Sequence, residues 1–231
     1  MPRSFVTSGW IKVCGVRDVA TAELAAKAGA SAVGLNFFTK SPRCIAPADA
    51  ARIVLALSAT STRPVGLFVN HSRDEIESIA RQTGLAAIQL HGDETPEFVA
   101  ELQQRHPDWG ILKAFRIGES LCAVAEFLVE CDRLNTRLDG CLLDARVDGS
   151  FGGTGKVAPW ELITRDYAGT NWPPLILAGG LTPDNVAAAI KSVRPMGVDS
   201  AGGVESSPGV KETKLLARFM AEAQRAFAQL S

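Results

Sequence analysis

Residues Gly140 to Gly155 read Gly-Cys-Leu-Leu-Asp-Ala-Arg-Val-Asp-Gly-Ser-Phe-Gly-Gly-Thr-Gly. A short apolar run, Cys141 to Leu143, stops on a carboxylate, Asp144, and passes into glycine, serine and threonine. The run is a strand by pattern, and the residues after it are turn formers. A buried strand that ends in an acid, followed by a loop whose backbone can approach a ligand closely, is the layout of one βα unit of an α/β enzyme.

The same unit recurs on both sides of this stretch. Strands are predicted over Ile11–Val16, Ser31–Phe38, Pro64–Asn70, Ala86–His91 and Gly110–Ile117, then Cys141–Leu143, Pro174–Ala178 and Gly197–Asp199. Each is followed by a helical pattern. Asp18 opens the first helix, and Thr95-Pro96 and Thr182-Pro183 each supply an N-cap with proline at the first helical position. The last helix, Glu212 to about Leu230, carries a stripe of Leu215, Leu216, Phe219, Met220, Ala223 and Phe227. Strict alternation of strand and helix requires a parallel sheet, because parallel neighbours need a crossover. Eight units favour a single closed (β/α)8 barrel spanning 1–231; an open doubly wound sheet is the competing arrangement.

Composition excludes several classes. With 24 Lys plus Arg against 25 Asp plus Glu, the formal charge is -1, so no global field attracts nucleic acid or an anionic membrane, and any anion must be bound locally. The five cysteines form no Cys-x-x-Cys pair, which speaks against a disulfide framework or a zinc knuckle. Met1 to Gly9 has no signal-peptide pattern, and no apolar run is long enough to span a membrane. A soluble cytoplasmic protein, monomer or homodimer, is expected. Three histidines at no ligand spacing imply no metal, and without a dinucleotide fingerprint no cofactor is implied.

Alternation along the first strand puts Lys12 and Cys14 on one face and Ile11 and Val13 on the other. The apolar pair should face the helices, which turns Lys12 and Cys14 into the barrel. Two readings of Cys14 stand side by side: a small buried hydrophobe, or a reactive thiol at the carboxyl-terminal mouth. Asp144 is costly if buried alone, so it either sits at the mouth or is paired. Strands one and six are three positions apart around the ring, so Cys14 and Asp144 should face each other with a small substrate between them. A thiol and an acid so placed suit a proton shuffle. Gly179-Gly180 and Gly202-Gly203 follow strands seven and eight, where barrels commonly hold phosphate, and Gly152-Gly153-Thr154-Gly155 could add amides. Arg43 could hold a second anion as a fork, or be a solvated loop residue; Gln89 and His91 share a strand face that can point inward.

Taken in order, Lys12-Val13-Cys14-Gly15, Lys40-Ser41-Pro42-Arg43, Val65-Gly66-Leu67-Phe68-Val69-Asn70, Gln89-Leu90-His91-Gly92, Leu142-Leu143-Asp144, Gly152-Gly153-Thr154-Gly155-Lys156, Ala178-Gly179-Gly180-Leu181 and Gly203-Val204-Glu205 resemble phosphoribosylanthranilate isomerase, from Ile11 to about Phe219. The resemblance implies a (β/α)8 barrel and an Amadori rearrangement of a phosphorylated substrate. It implies that Asp144 is the general acid that opens the furanose and Cys14 the general base that removes the C2′ proton. It places Arg43 on the anthranilate carboxylate and the glycines after strands seven and eight on the phosphate. These roles require a partly ionised thiol, with a field supplied by phosphate-binding amides and basic groups, and a protonated Asp144, which a drier mouth would favour.

One departure stands out. The family usually carries at least one serine before Gly-Val-Glu, where this chain has Ala201-Gly202-Gly203-Val204-Glu205, so a hydroxyl contact to phosphate is expected to be missing. The nearest rival is the related phosphoribosyl isomerase of histidine biosynthesis, with paired aspartates at strands one and six; Cys14 argues against it. A non-catalytic sugar-phosphate binder on the same barrel would need neither Cys14 nor Asp144, and a purely structural barrel would leave Asp144, Arg43 and the glycine clusters unexplained.

Overall fold

The computed structural model describes residues 5–85, 87–144, 160–167 and 171–230; the glycine cluster 152–155 and residue 86 lie outside them. The barrel strands are β1 (Trp10–Cys14), β2 (Ala32–Asn36), β3 (Arg63–Phe68), β4 (Ala87–Leu90), β5 (Gly110–Arg116), β6 (Gly140–Asp144), β7 (Leu175–Ala178) and β8 (Gly197–Ser200). The helices between and after them are α1 (Val19–Lys27), α2 (Pro47–Leu57), α3 (Arg73–Thr83), α4 (Pro96–Arg105), α5 (Cys122–Arg133), α6 (Trp160–Tyr167), α7 (Val186–Val193) and α8 (Thr213–Ala228). The eight strands run in sequence order as a closed parallel barrel, with β1 pairing both β2 and β8.

Closure makes the alternation of each strand decisive. Ile11, Val13, Val33, Leu35, Leu143 and Leu177 point outward into one continuous core shared with the helices. Trp10, Ala32, Val65, Leu112, Leu142 and Ile176 point inward and fill the lower barrel. The next inward-facing side chains up each strand therefore enter the upper barrel, which places Lys12, Cys14, Gln89 and Asp199 inside and Asp144 at the rim.

Local chemistry fixes most helix starts. Asp18 caps α1 by accepting from Thr21 N at 2.8 Å, and Thr95 caps α4 by accepting from Phe98 N at 3.3 Å, ahead of Pro96. Ser72 and Glu75 form a capping box on α3, which ends at Gly84 in the left-handed region, φ 77°. The Thr182-Pro183 start is different from the expectation. Thr182 N donates to Asn185 Oδ1 at 2.8 Å and Asn185 Nδ2 donates to Gly180 O at 3.0 Å, so Thr182–Asn185 is a turn stitched by Asn185, and α7 begins at Val186. After β8 comes a hairpin too short for any strand pattern in the sequence to predict: β9 (Glu205–Ser207) and β10 (Val210–Lys211), antiparallel, turning at Pro208-Gly209 with Gly209 at φ 83°. Among the described residues no helix is long and apolar enough to cross a membrane.

The seam between β1 and β8 is tight. Gly197 lies opposite Trp10, and a Cβ there would sit 2.7 Å from Trp10 O and 3.0 Å from its ring. Gly197→Ala is therefore expected to cost about 1–3 kcal/mol by overpacking the closure, read as a lowered urea midpoint with an unchanged m-value; an unchanged midpoint would show that the seam yields.

Candidate active site

The site is built from the upper ends of the strands. Cys14 ends β1 with its thiol buried, next to Gly34 of β2: a Cβ at 34 would lie 2.6 Å from Cys14 Sγ. Gly15 follows at φ 76°, and Arg43 of the β2–α2 loop packs over it, since a Cβ at 15 would be 2.5 Å from Arg43 Cδ. The guanidinium thus stands beside Cys14. Its Nε and Nη2 donate to Glu205 Oε1 and Oε2 at 2.8 and 2.7 Å, so Glu205 occupies one edge of the fork that the sequence leaves open for a ligand. Lys211 Nζ donates to the same Glu205 at 2.8 Å and to Ala201 O at 2.9 Å. Burial pushes Glu205 up, but Arg43 and Lys211 outweigh it and hold the carboxyl below its ordinary value.

Beneath Cys14, Lys12 Nζ donates to Asp199 Oδ1 at 2.9 Å, with the lysine wholly buried. Burial pushes the Cys14 thiol up and Lys12 and Lys211 pull it back, while Asp199 adds to the rise; the net shift is upward. In the free protein basic groups thus stand around the thiol, yet desolvation outweighs them.

Across the mouth, Asp144 ends β6 in register with Arg116 of β5 and Ala178 of β7. Its Oδ2 lies 3.9 Å from His91 Nε2, a distance compatible with an ion pair. We read no ion pair there, because burial, and after it the charge of Lys12, bring the imidazole down to about 4 and keep it neutral. Gln89 Nε2 is 3.1 Å from His91 Nδ1. With the amide donating to Nδ1, the imidazole proton sits on Nε2, toward Asp144, an assignment made from the hydrogen-bond network.

The glycines after β7 and β8 come together. Gly179 and Gly180 are left-handed, φ 87° and 66°, and among the described residues, its own chain neighbours aside, no atom lies within 4 Å of where a Gly180 Cβ would be. Gly203 is pressed on Leu181 O, which a Cβ would meet at 1.8 Å, and Ser200 Oγ donates to that carbonyl at 2.7 Å. Gly202 faces Arg43, with its Cβ position 3.3 Å from Nη2. Cys14, Arg43, Gly202 and Gly203 thus form one wall, and Gln89, His91 and Asp144 the other. The Lys12–Asp199 pair and the Glu205–Lys211 bridge carry no assignment from the sequence. The inward face of Lys12 is legible by alternation, but its partner lies 187 positions away.

A family model described as N-(5′-phosphoribosyl)anthranilate (PRA) isomerase matches residues 11–222. The chain belongs to the N-(5′-phosphoribosyl)anthranilate isomerase family. A relative of that name from Trichlorobacter lovleyi is 42% identical over 94% of this chain and 98% of its own length. One from Stutzerimonas stutzeri is 44% identical over 90% and 94%. The crystal structure of phosphoribosyl anthranilate isomerase from Thermotoga maritima superposes with TM-score 0.81 at 34% identity, covering 94% of this chain and 98% of that one. Another structure of the enzyme, in complex with reduced 1-(o-carboxyphenylamino)-1-deoxyribulose 5-phosphate, gives TM-score 0.78 at 32% identity over 94% and 98%. Membership of the isomerase family carries the reaction class.

The neutral imidazole has a stability signature. His91 titrates at about 4 in the fold against an ordinary 6.5, so between these values the unfolded chain binds the extra proton. Stability then falls as pH drops through that window. Relative to His91→Gln, the wild type should lose about 2 kcal/mol between about pH 6.5 and about pH 5, measured by urea unfolding; parallel pH profiles would show that His91 is protonated at no cost.

Proposed function

We propose that the mouth of this barrel isomerises N-(5′-phosphoribosyl)anthranilate to 1-(2-carboxyphenylamino)-1-deoxyribulose 5-phosphate, a step of tryptophan biosynthesis, with Asp144 as general acid and Cys14 as general base. The observation that carries this reading is the placement of one acid and one thiol at the carboxyl ends of β6 and β1, on opposite sides of the closed ring.

The proton transfers follow from that placement. Asp144 gives a proton to the ribose ring oxygen, the C1′–O bond breaks, and the anilino nitrogen becomes a Schiff base. His91, neutral and with Nε2–H toward Asp144, can donate to that carboxyl group but brings no charge of its own. The Cys14 thiolate then takes the proton from C2′, and the electrons move through C2′–C1′ to the nitrogen, giving an enolamine that tautomerises to the ketone. Arg43 has its Nε and Nη2 edge fixed by Glu205, and among the described residues Nη1 takes no hydrogen bond, so that edge is available to the anthranilate carboxylate. Gly179, Gly180, Gly202 and Gly203 line the side where the phosphate would sit, with Gln89 and His91 on the opposite wall. The relative crystallised with reduced 1-(o-carboxyphenylamino)-1-deoxyribulose 5-phosphate supports a small phosphorylated substrate. All five cysteines are unpaired, which supports work in a reducing cytosol.

Turnover is followed by the loss of substrate fluorescence. Cys14→Ser and Asp144→Asn should each lower kcat by roughly 10²–10⁴-fold, the worth of a positioned acid or base, with folding intact by circular dichroism; near wild-type rates in either would sink the assignment. Glu205→Gln should loosen Arg43 and raise KM by about tenfold, the scale of one charge-assisted hydrogen bond, with a much smaller change in kcat. A loss confined to kcat would mean that Glu205 does not act through substrate binding.

A further inference from the structure

We infer that Lys12 is the positioning residue for proton abstraction: its buried ammonium, locked on Asp199, holds the Cys14 thiolate and sets how readily that thiol ionises. The inference rests on Cys14 being the base proposed above.

The geometry comes first. Lys12 and Cys14 are two residues apart on β1 and both point inward. They converge over the missing side chain of Gly34, whose Cβ position lies 2.6 Å from Cys14 Sγ and 3.1 Å from Lys12 Cε. The ammonium is fixed in place at 2.9 Å from Asp199 Oδ1, and no part of Lys12 reaches solvent. The same charge is felt on the other wall by His91. Lys12 thus sits at the centre of the upper barrel, below the space between the two proton-transferring groups.

Among the described residues, the charges facing Cys14 are Lys12 of β1, Asp199 of β8, Lys211 of β10 and Arg43 of the β2–α2 loop, with Glu205 joining Arg43 to Lys211. Among these described groups three cations meet two carboxylates, an excess of one positive charge that a thiolate would match. After burial itself, Lys12 is the strongest influence on the thiol and favours the thiolate. A purely structural reading of the Lys12–Asp199 pair is less economical. The layer below is filled by apolar side chains from the same strands, and a buried ion pair is commonly replaceable by apolar groups without loss of stability.

The test reads the ionisation of Cys14 directly, by the ultraviolet absorbance of its thiolate against pH in the full chain, each background corrected by the same protein carrying Cys14→Ser. Lys12→Met should move the midpoint up by about one pH unit or more, a tenfold or greater loss of thiolate at a given pH. Asp199→Asn should move it down, because the ammonium is released toward the thiol. Should Lys12→Met fail to fold, Lys12→Met combined with Asp199→Asn contains no unpaired carboxylate and must titrate above Asp199→Asn alone. The acid limb of kcat/KM should follow the same shifts, whereas a merely structural pair would lower the rate at every pH. Unmoved midpoints beside an inactive Cys14→Ser would overturn the role of Lys12 and leave Cys14 as base. Midpoints that shift while the kinetic limb stays fixed would overturn Cys14 as base, and with it the part of Lys12 in turnover.

Discussion

The ion pair between Lys12 and Asp199 spans the seam at which β1 closes on β8, and the two residues are register partners across it. Taking an ammonium and a carboxylate out of water costs several kcal/mol per ion, and the attraction between them offsets this only when the geometry is good. A slip of one residue at the seam would turn Lys12 outward among the helices and leave Asp199 without a partner. The register that closes the barrel is therefore the register that puts charge at the centre of the site. Gly197 serves the same closure from below, by letting β8 approach Trp10.

The two walls above this pair are unlike, and their difference is electrostatic. On the side of β1, β2 and β8, Arg43 and Lys211 share Glu205, and their cations surround a buried thiol. On the side of β4 and β6, the imidazole next to Asp144 is neutral and oriented by Gln89. A buried latch holds that second wall: Lys113 Nζ donates to Gly92 O at 2.8 Å and to Glu94 Oε2 at 3.2 Å, while Glu94 accepts from Asn70 N and Gly92 N, each at 2.9 Å. The latch ties the ends of β3 and β4 together directly after His91. The thiol at the end of β1 is thus placed among cations, whereas the carboxyl group at the rim lies beside a neutral imidazole, with Arg116 and Lys113 on the neighbouring strand β5.

What the chain discloses in one dimension is what depends on neighbours in sequence. The two-residue period of Lys12 and Cys14 locates both inside the barrel, the acid ending Leu142-Leu143 locates Asp144 at the rim, and the caps at Asp18 and Thr95 follow from short-range hydrogen bonds. The hidden features join distant residues or weigh opposing forces. Arg43 and Glu205 are 162 positions apart, so no pattern around Arg43 shows that one edge of its fork is taken. The start of α7 misleads because Asn185 reaches back to Thr182 and Gly180, which no cap signature at Thr182-Pro183 reveals. The balance at Cys14 is hidden for a related reason: the nearby basic groups are countable, but the desolvation that outweighs them in the free protein exists only after the barrel has closed.

The loop after β8 shows how the departure at Ala201-Gly202 fits the rest of the mouth. A hydroxyl at 202 could reach a phosphate, yet the Cβ carrying it would stand 3.3 Å from Arg43 Nη2, against a guanidinium that Glu205 holds in place. Ser200 does not supply the missing donor in the mouth, because its hydroxyl donates to Leu181 O and clamps the β7 and β8 loops together. Nor can Gly203 accept a side chain, with Leu181 O at 1.8 Å from its Cβ position. The proposed grip on phosphate is accordingly a backbone grip, and the same absence of side chains lets Arg43 lie close against the loop. The bare backbone of this loop and the close approach of Arg43 are then two consequences of one packing constraint, set by the glycines at 202 and 203.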